Sequence, residues 1–151
     1  MKLAPLQLTD YFVHSIRVEA QPGYDTTKEQ DLAIDDLQVT ENCFPVPADG
    51  THRFAIDLVI KQDAVEGKNL PYAYELHMVG FIEAYPGFPE DQLQRAIETN
   101  GPSMLFGAAR EILRAATGRG PYGPVLIPST TFYKATTPAI PAKKASRKKA
   151  K

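Results

Sequence analysis

Polar and apolar residues alternate in four stretches of this chain. Each alternation predicts a strand, because successive side chains of an extended backbone point to opposite sides. In residues 11–20, Phe12, Ile16 and Val18 share one parity and Ser15, Arg17 and Glu19 the other. Residues 32–40 alternate more weakly, and Asp35-Asp36 in their middle marks a bulge or a break. The clearest case is residues 52–62, where Phe54, Ile56, Leu58 and Ile60 oppose Arg53, Asp57 and Lys61. In residues 72–83, Tyr72, Tyr74, Leu76, Met78 and Ile82 oppose Glu75, His77 and Glu83. Glu66-Gly67-Lys68-Asn69 between the last two reads as a hairpin connection, so these strands are expected to pair antiparallel.

After Tyr85-Pro86-Gly87-Phe88-Pro89 the period changes from two to 3.6. Residues 90–99 have acids in the first turn, as the helix dipole favours, with Leu93 and Ile97 on the apolar side. Asn100-Gly101-Pro102 is expected to stop this helix. A second helix is predicted from Ser103 as N-cap to Thr117, with Leu105, Phe106, Ala109, Ile112, Leu113 and Ala116 on one stripe and Gly118 as the cap. Strands followed by helices predict an α+β fold: a four-stranded antiparallel sheet with two C-terminal helices packed on one face. The parity then puts Ser15, Arg17, Glu19, Asp57, Lys61, Glu75 and His77 together on the uncovered face. Residues 41–49 read as an irregular stretch carrying apolar side chains, Phe44 and Val46 among them, and residues 125–133 as an extended piece.

The 151 residues suit one domain, and 43% apolar with 23% charged side chains is ordinary for a globular chain. No apolar run approaches the ~20 residues needed to span a bilayer, so no membrane insertion is expected. Pro5, Gln7 and Asp10 break any secretory leader, and Cys43, a single cysteine, allows no intrachain disulfide; the expected location is the cytoplasm. The net charge of −1 hides an asymmetry. Residues 143–151 hold six of the 17 basic side chains and no acid, which leaves residues 1–142 with 11 basic and 18 acidic ones, a charge of −7. We read residues 1–135 as one folded domain and residues 136–151 as a disordered basic tail.

Chemistry is sparse. His14, His52 and His77 lie on separate strand-like segments with no metal-ligand spacing, and Cys43 has no neighbouring base. The glycines of residues 118–123 follow a helix rather than opening one, so they make no phosphate loop. No enzyme activity, cofactor or metal is expected. The tail can meet phosphates through Lys143, Lys144, Arg147, Lys148, Lys149 and Lys151, but no aromatic residue is interleaved for base stacking, so no specific nucleic-acid partner is expected.

The segment Ser103-Met104-Leu105-Phe106-Gly107-Ala108-Ala109-Arg110-Glu111-Ile112, then Gly118-Arg119-Gly120 and Pro124-Val125-Leu126-Ile127-Pro128, resembles the long helix and following turn of the SecB export chaperones. Ile16-Arg17-Val18-Glu19-Ala20 resembles the end of that family's first strand, and Tyr74-Glu75-Leu76 with Val79-Gly80-Phe81-Ile82 its fourth. The resemblance implies a homotetramer, a dimer of dimers, that holds unfolded preproteins without ATP and passes them to the SecA motor. It implies client grooves lined by Leu32, Ile34, Leu37, Val39 and Phe44, with Tyr72 and Tyr74 contributing. It also implies a SecA-docking surface that retains Glu19 and Glu75, although Ser15 stands where the family has an acid and Ala73 where it has a leucine. Because SecB-like proteins also serve toxin–antitoxin systems, an antitoxin client is the alternative.

Overall fold

A computed structural model describes residues 4–31, 34–47 and 52–133, Ile34 by its backbone only. The residues read as a basic tail, and Leu32, lie outside the described residues. Four strands, β1 (Leu6–Ala20), β2 (Gln38–Val46), β3 (His52–Gln62) and β4 (Tyr72–Ala84), form one antiparallel sheet in the order β1-β4-β3-β2. Among the described residues a single α-helix, α1 (Glu90–Thr117), packs on one face. The fold class is therefore as expected, with one helix rather than two.

The alternation of β3 and β4 decides which face α1 covers. Ile56, Leu58, Ile60, Leu76, Met78 and Ile82 are buried, while Asp57, Glu75 and His77 alternate with them on the outer face. Seven side chains were expected to share that outer face, and the register agrees. Ser15 pairs with His77, Arg17 with Glu75, and Lys61 with Glu75.

β1 departs from simple parity. The register shifts between Val13 and Ser15, so Phe12 pairs with Val79 on the outer face whereas Ile16 pairs with Leu76 on the helix face. An extra residue in one strand flips every side chain beyond it, which single-strand parity cannot show.

α1 runs for 28 residues straight through Pro102. The missing proline N–H and the ring clash cost about 3 kcal/mol. Against this, Leu93, Ile97, Leu105, Phe106 and Leu113 are all buried on one stripe, and each contributes about 1.5–3 kcal/mol. Burial wins. Asn100 Nδ2 donates to the Ala96 carbonyl at 2.9 Å, and Ser103 Oγ to Thr99 at 3.0 Å, bracketing the proline with side-chain bonds. Ser103 is therefore an interior residue and not a cap. Gly101 is needed there for space: a Cβ would stand 2.8 Å from Ile56 Cδ1.

The second predicted strand is displaced. Ile34–Asp36 forms a 3-10 turn, and β2 begins at Gln38, running through the stretch read as irregular. Pro45 tolerates this because β2 is an edge strand. Beyond Gly118 the chain turns back, and residues 124–133 run extended without joining the sheet; we call this segment the strap.

Candidate functional site

The strap forms one wall of a groove at the end of the sheet where β4 begins, and a buried polar cluster holds it there. Tyr72 Oη donates to the Thr117 carbonyl at 3.1 Å and accepts the Tyr122 backbone N–H at 2.9 Å. Thr117 Oγ1 donates to the Leu113 carbonyl at 2.7 Å and accepts the Val125 N–H at 2.9 Å. Arg110 Nε donates to the Ile127 carbonyl at 2.8 Å. Gly120 is required at the turn, since a Cβ would lie 2.6 Å from Tyr72 Oη. So fixed, the strap buries Val125 and Ile127 and leaves Leu126 57% exposed.

Between the strap and Gln30, Asp31 and Leu37 lies a narrow groove with a cavity volume of about 30 Å³. Leu37, Leu70, Pro71, Tyr72, Tyr74 and the strap residues 125–128 give it an apolar lining, and Gln30, Asp31 and Gln62 supply polar atoms. Burial pushes the Tyr74 phenol up to about 12, so it is a neutral donor at any physiological pH. Asn69 staples the opposite wall: its amide donates to the carbonyls of Asp25 and Glu29 at 3.0 Å, and its backbone N–H to Asp31 Oδ2 at 2.6 Å. The rim is acidic. Lys68 forms an ion pair with Asp36, and that bond first, then the nearby Asp36, Asp35 and Asp31 charges, raise the Lys68 pKa.

Of the residues expected to line a client groove, Leu37, Tyr72 and Tyr74 meet here. Val39 is partly buried against the core beside it, pairing with Ile60 on the helix face. Phe44 lies elsewhere. It pairs with Ala55, so it sits on the outer face, 46% exposed. Leu32 and the Ile34 side chain are outside the described residues. Leu70, Pro71, Gln62 and the strap were not expected among the groove residues, although the strap was read as an extended piece. The proline-bounded apolar run at 124–128 was the available signal, but only the chain reversal at Gly118–Gly120 shows that it returns to the sheet.

The outer face also brings Glu19 and Glu75 together at one end, with counter-charges between them. Arg17 pairs directly with Glu75 and stands 3.6 Å from Glu19, while Lys61 flanks Glu75 on the other side. The expected acidic patch is thus a mixed-charge row. Near its centre His77 Nε2 lies 2.6 Å from Asp57 Oδ1, and the His14 and His77 rings are 4.6 Å apart. Among the described residues no group of three or more His, Cys, Asp or Glu is arranged to hold a metal ion, and no helix is long and apolar enough to cross a membrane.

Comparison with known proteins agrees with this geometry. The family described as "Preprotein translocase subunit SecB" matches residues 2–136. Protein-export proteins SecB of Brucella ovis and Brucella suis are each 30% identical over 79 residues, covering 52% of this chain and 48% of theirs. The chain thus matches about half the length of these curated relatives. The Mycobacterium tuberculosis Rv1957 SecB-like chaperone, solved with a ChAD peptide from the HigA1 antitoxin, superposes with a TM-score of 0.56 at 13% identity. That alignment covers 83% of this chain and 88% of the other, a likeness of fold. With a family match across nearly the whole described domain and the fold to go with it, this chain belongs to the SecB family.

Proposed function

We propose that this protein is a cytoplasmic holdase that binds unfolded polypeptide in the groove beside the strap, without ATP, cofactor or catalytic residue. The observation that carries the reading is the apolar edge of that narrow groove, where Leu126 stands 57% exposed over a buried apolar lining. A folded monomer gains nothing by leaving such a surface uncovered, whereas an unfolded client supplies the side chains that cover it. Each buried client side chain contributes about 1.5–3 kcal/mol, and several grooves on one oligomer add affinity through multivalency.

The oligomer is part of the proposal. β1 is a 15-residue edge strand with Tyr11, Phe12, Val13 and Ile16 exposed, and an unblocked apolar edge is a template for pairing. Its pairing with a second copy, and of two such dimers with each other, gives a homotetramer.

The test is light scattering of a chemically denatured enzyme diluted into buffer. The wild-type protein should suppress aggregation at near-stoichiometric ratios without ATP, and Leu126→Asp should lose most of that effect while keeping its unfolding midpoint. Equal protection by the two proteins would remove the groove from the account.

Two hand-off routes follow from the family. Delivery of preproteins to SecA calls on Glu19 and Glu75. The mixed-charge row around Glu75 favours the second reading, a chaperone dedicated to an antitoxin, because Arg17 and Lys61 cancel the attraction an acidic patch would offer. The Mycobacterium tuberculosis relative was solved with such a client segment. Calorimetric titration with SecA separates the routes: heats unchanged by Glu75→Lys exclude this surface from docking.

A further inference from the structure

We propose that the strap is a built-in stand-in for client: residues 124–128 occupy the apolar positions that a client segment takes, and client binding displaces them. The inference rests on the holdase reading and says where, within it, the client's side chains go. Leu126 on the exposed side makes the first contact, and the client's own side chains then replace Val125 and Ile127.

Three observations carry this. The first is that the strap is held as a bound peptide is held. Residues 124–133 run extended, and among the described residues no backbone–backbone hydrogen bond reaches them. Side chains grip the strap by its main chain instead. Thr117 Oγ1 accepts the Val125 N–H at 2.9 Å, and Arg110 Nε donates to the Ile127 carbonyl at 2.8 Å. Bonds of this kind read only the backbone, so any extended segment on the same path satisfies them.

The second is the burial pattern. Pro124 is exposed, Val125 buried, Leu126 exposed and Ile127 buried, the period of an extended chain with one face in the protein. Val125 and Ile127 share with Leu37, Leu70, Tyr72 and Tyr74 a cavity of only about 30 Å³. Leu37, Tyr72 and Tyr74 were expected to receive client, and the strap fills that space first. A client reaches these side chains only by taking the strap's place. The segment that fits is of the strap's own class: extended, with branched aliphatic side chains two residues apart.

The third is that the strap is built to leave. Pro124 and Pro128 lack the N–H that a strand ladder needs, so the segment cannot be consolidated into the sheet. Gly118, Gly120 and Gly123 lie in the turn that leads into it, and Gly123 has a φ of 79°. A further polar anchor, from Arg110 Nη1 to Ser129 Oγ at 3.1 Å, is exposed to water. A segment with so few protected bonds opens locally far more readily than the strands beneath it.

The experiment uses the full chain and a dye-labelled, reduced and carboxymethylated model protein as unfolded client. In the wild type, saturating client should speed amide exchange at Val125, whose N–H loses Thr117, while β3 and β4 keep their protection. Client lying only on the groove's edge would slow that exchange or leave it unchanged. Either result overturns the displacement and leaves the holdase reading intact. Ile127→Ser loosens the strap without altering Leu37, Leu70, Tyr72 or Tyr74. A site that is open in roughly 1–10% of molecules then opens in most, and client should bind about 10-fold tighter in fluorescence anisotropy. Equal or weaker binding by a variant with wild-type circular dichroism overturns the proposal; if the variant does not fold, exchange in the wild type decides. A synthetic peptide of residues 123–129 should bind the variant and compete with client there, whereas the same peptide carrying Val125→Ser and Ile127→Ser should not. A wild-type peptide that fails to bind also overturns the stand-in. If neither protein binds client, the holdase reading falls, and the peptide titration still decides whether the strap's site takes an extended segment in trans.

Discussion

Tyr72 and Tyr74 stand two residues apart on the same face of β4, yet their hydroxyls do different work. Tyr72 is 2% exposed, and its hydroxyl is consumed by Thr117 and Tyr122 in fixing the strap. Tyr74 lines the groove, and its raised pKa has a consequence for stability. The unfolded chain ionises this phenol near its ordinary value of 10, the folded chain only at about 12. Across that interval the folded state binds the extra proton, so Tyr74 contributes stability that is whole below pH 10 and is lost as pH rises to 12. Tyr74→Phe should flatten this alkaline limb: urea midpoints at pH 9 and 11.5 should differ less in the variant than in the wild type. Both tyrosines were legible in the sequence as core-parity aromatics. Their division of labour was not, because it depends on a helix terminus some 45 residues downstream.

The strap is the element on which the groove depends, and few interactions hold it. Thr117→Val keeps the shape of the side chain but leaves the buried Val125 N–H without its acceptor, which costs about 1–3 kcal/mol. Arg110→Met removes the bond to the Ile127 carbonyl at a more exposed position and should spare global stability. Amide exchange separates the two expectations. In Arg110→Met the protection of residues 125–129 should fall while β3 and β4 keep theirs; in Thr117→Val the unfolding midpoint falls as well. β3 and β4 were readable because their faces see different solvents, one dry and one wet. The two helices expected on either side of Pro102 are one for the opposite reason. Propensity is local, and a continuous apolar stripe over Ile56 and Ile82 outweighs it. β2 was expected too early in the chain because an edge strand with Pro45 and mixed burial shows neither clean alternation nor a continuous apolar run.

For the whole molecule, the uncovered part of β1 sets the expected assembly. α1 packs across the sheet, β1 included, but leaves Tyr11 45% and Ile16 44% exposed on its own side of it. Burying such side chains against a second copy is favourable by the same area argument that builds the core. Tyr11→Lys with Ile16→Lys should therefore lower the mass measured by multi-angle light scattering from that of the proposed tetramer to a smaller species, with the monomer fold retained in circular dichroism. An unchanged mass would place the interface elsewhere.

From the sequence alone came the faces of β3 and β4, the strand-then-helix order, the acidic body with its basic end, and the family resemblance. Each of these is written in local periodicity, composition or motif. What the tertiary structure decided was which apolar residues meet. It set Phe44 and Val39 on opposite faces through the β2–β3 register, flipped β1 at its bulge, threaded α1 through a proline, and folded the strap back to wall a groove. Register and chain reversal are matters of contact between distant segments, and no local pattern records them.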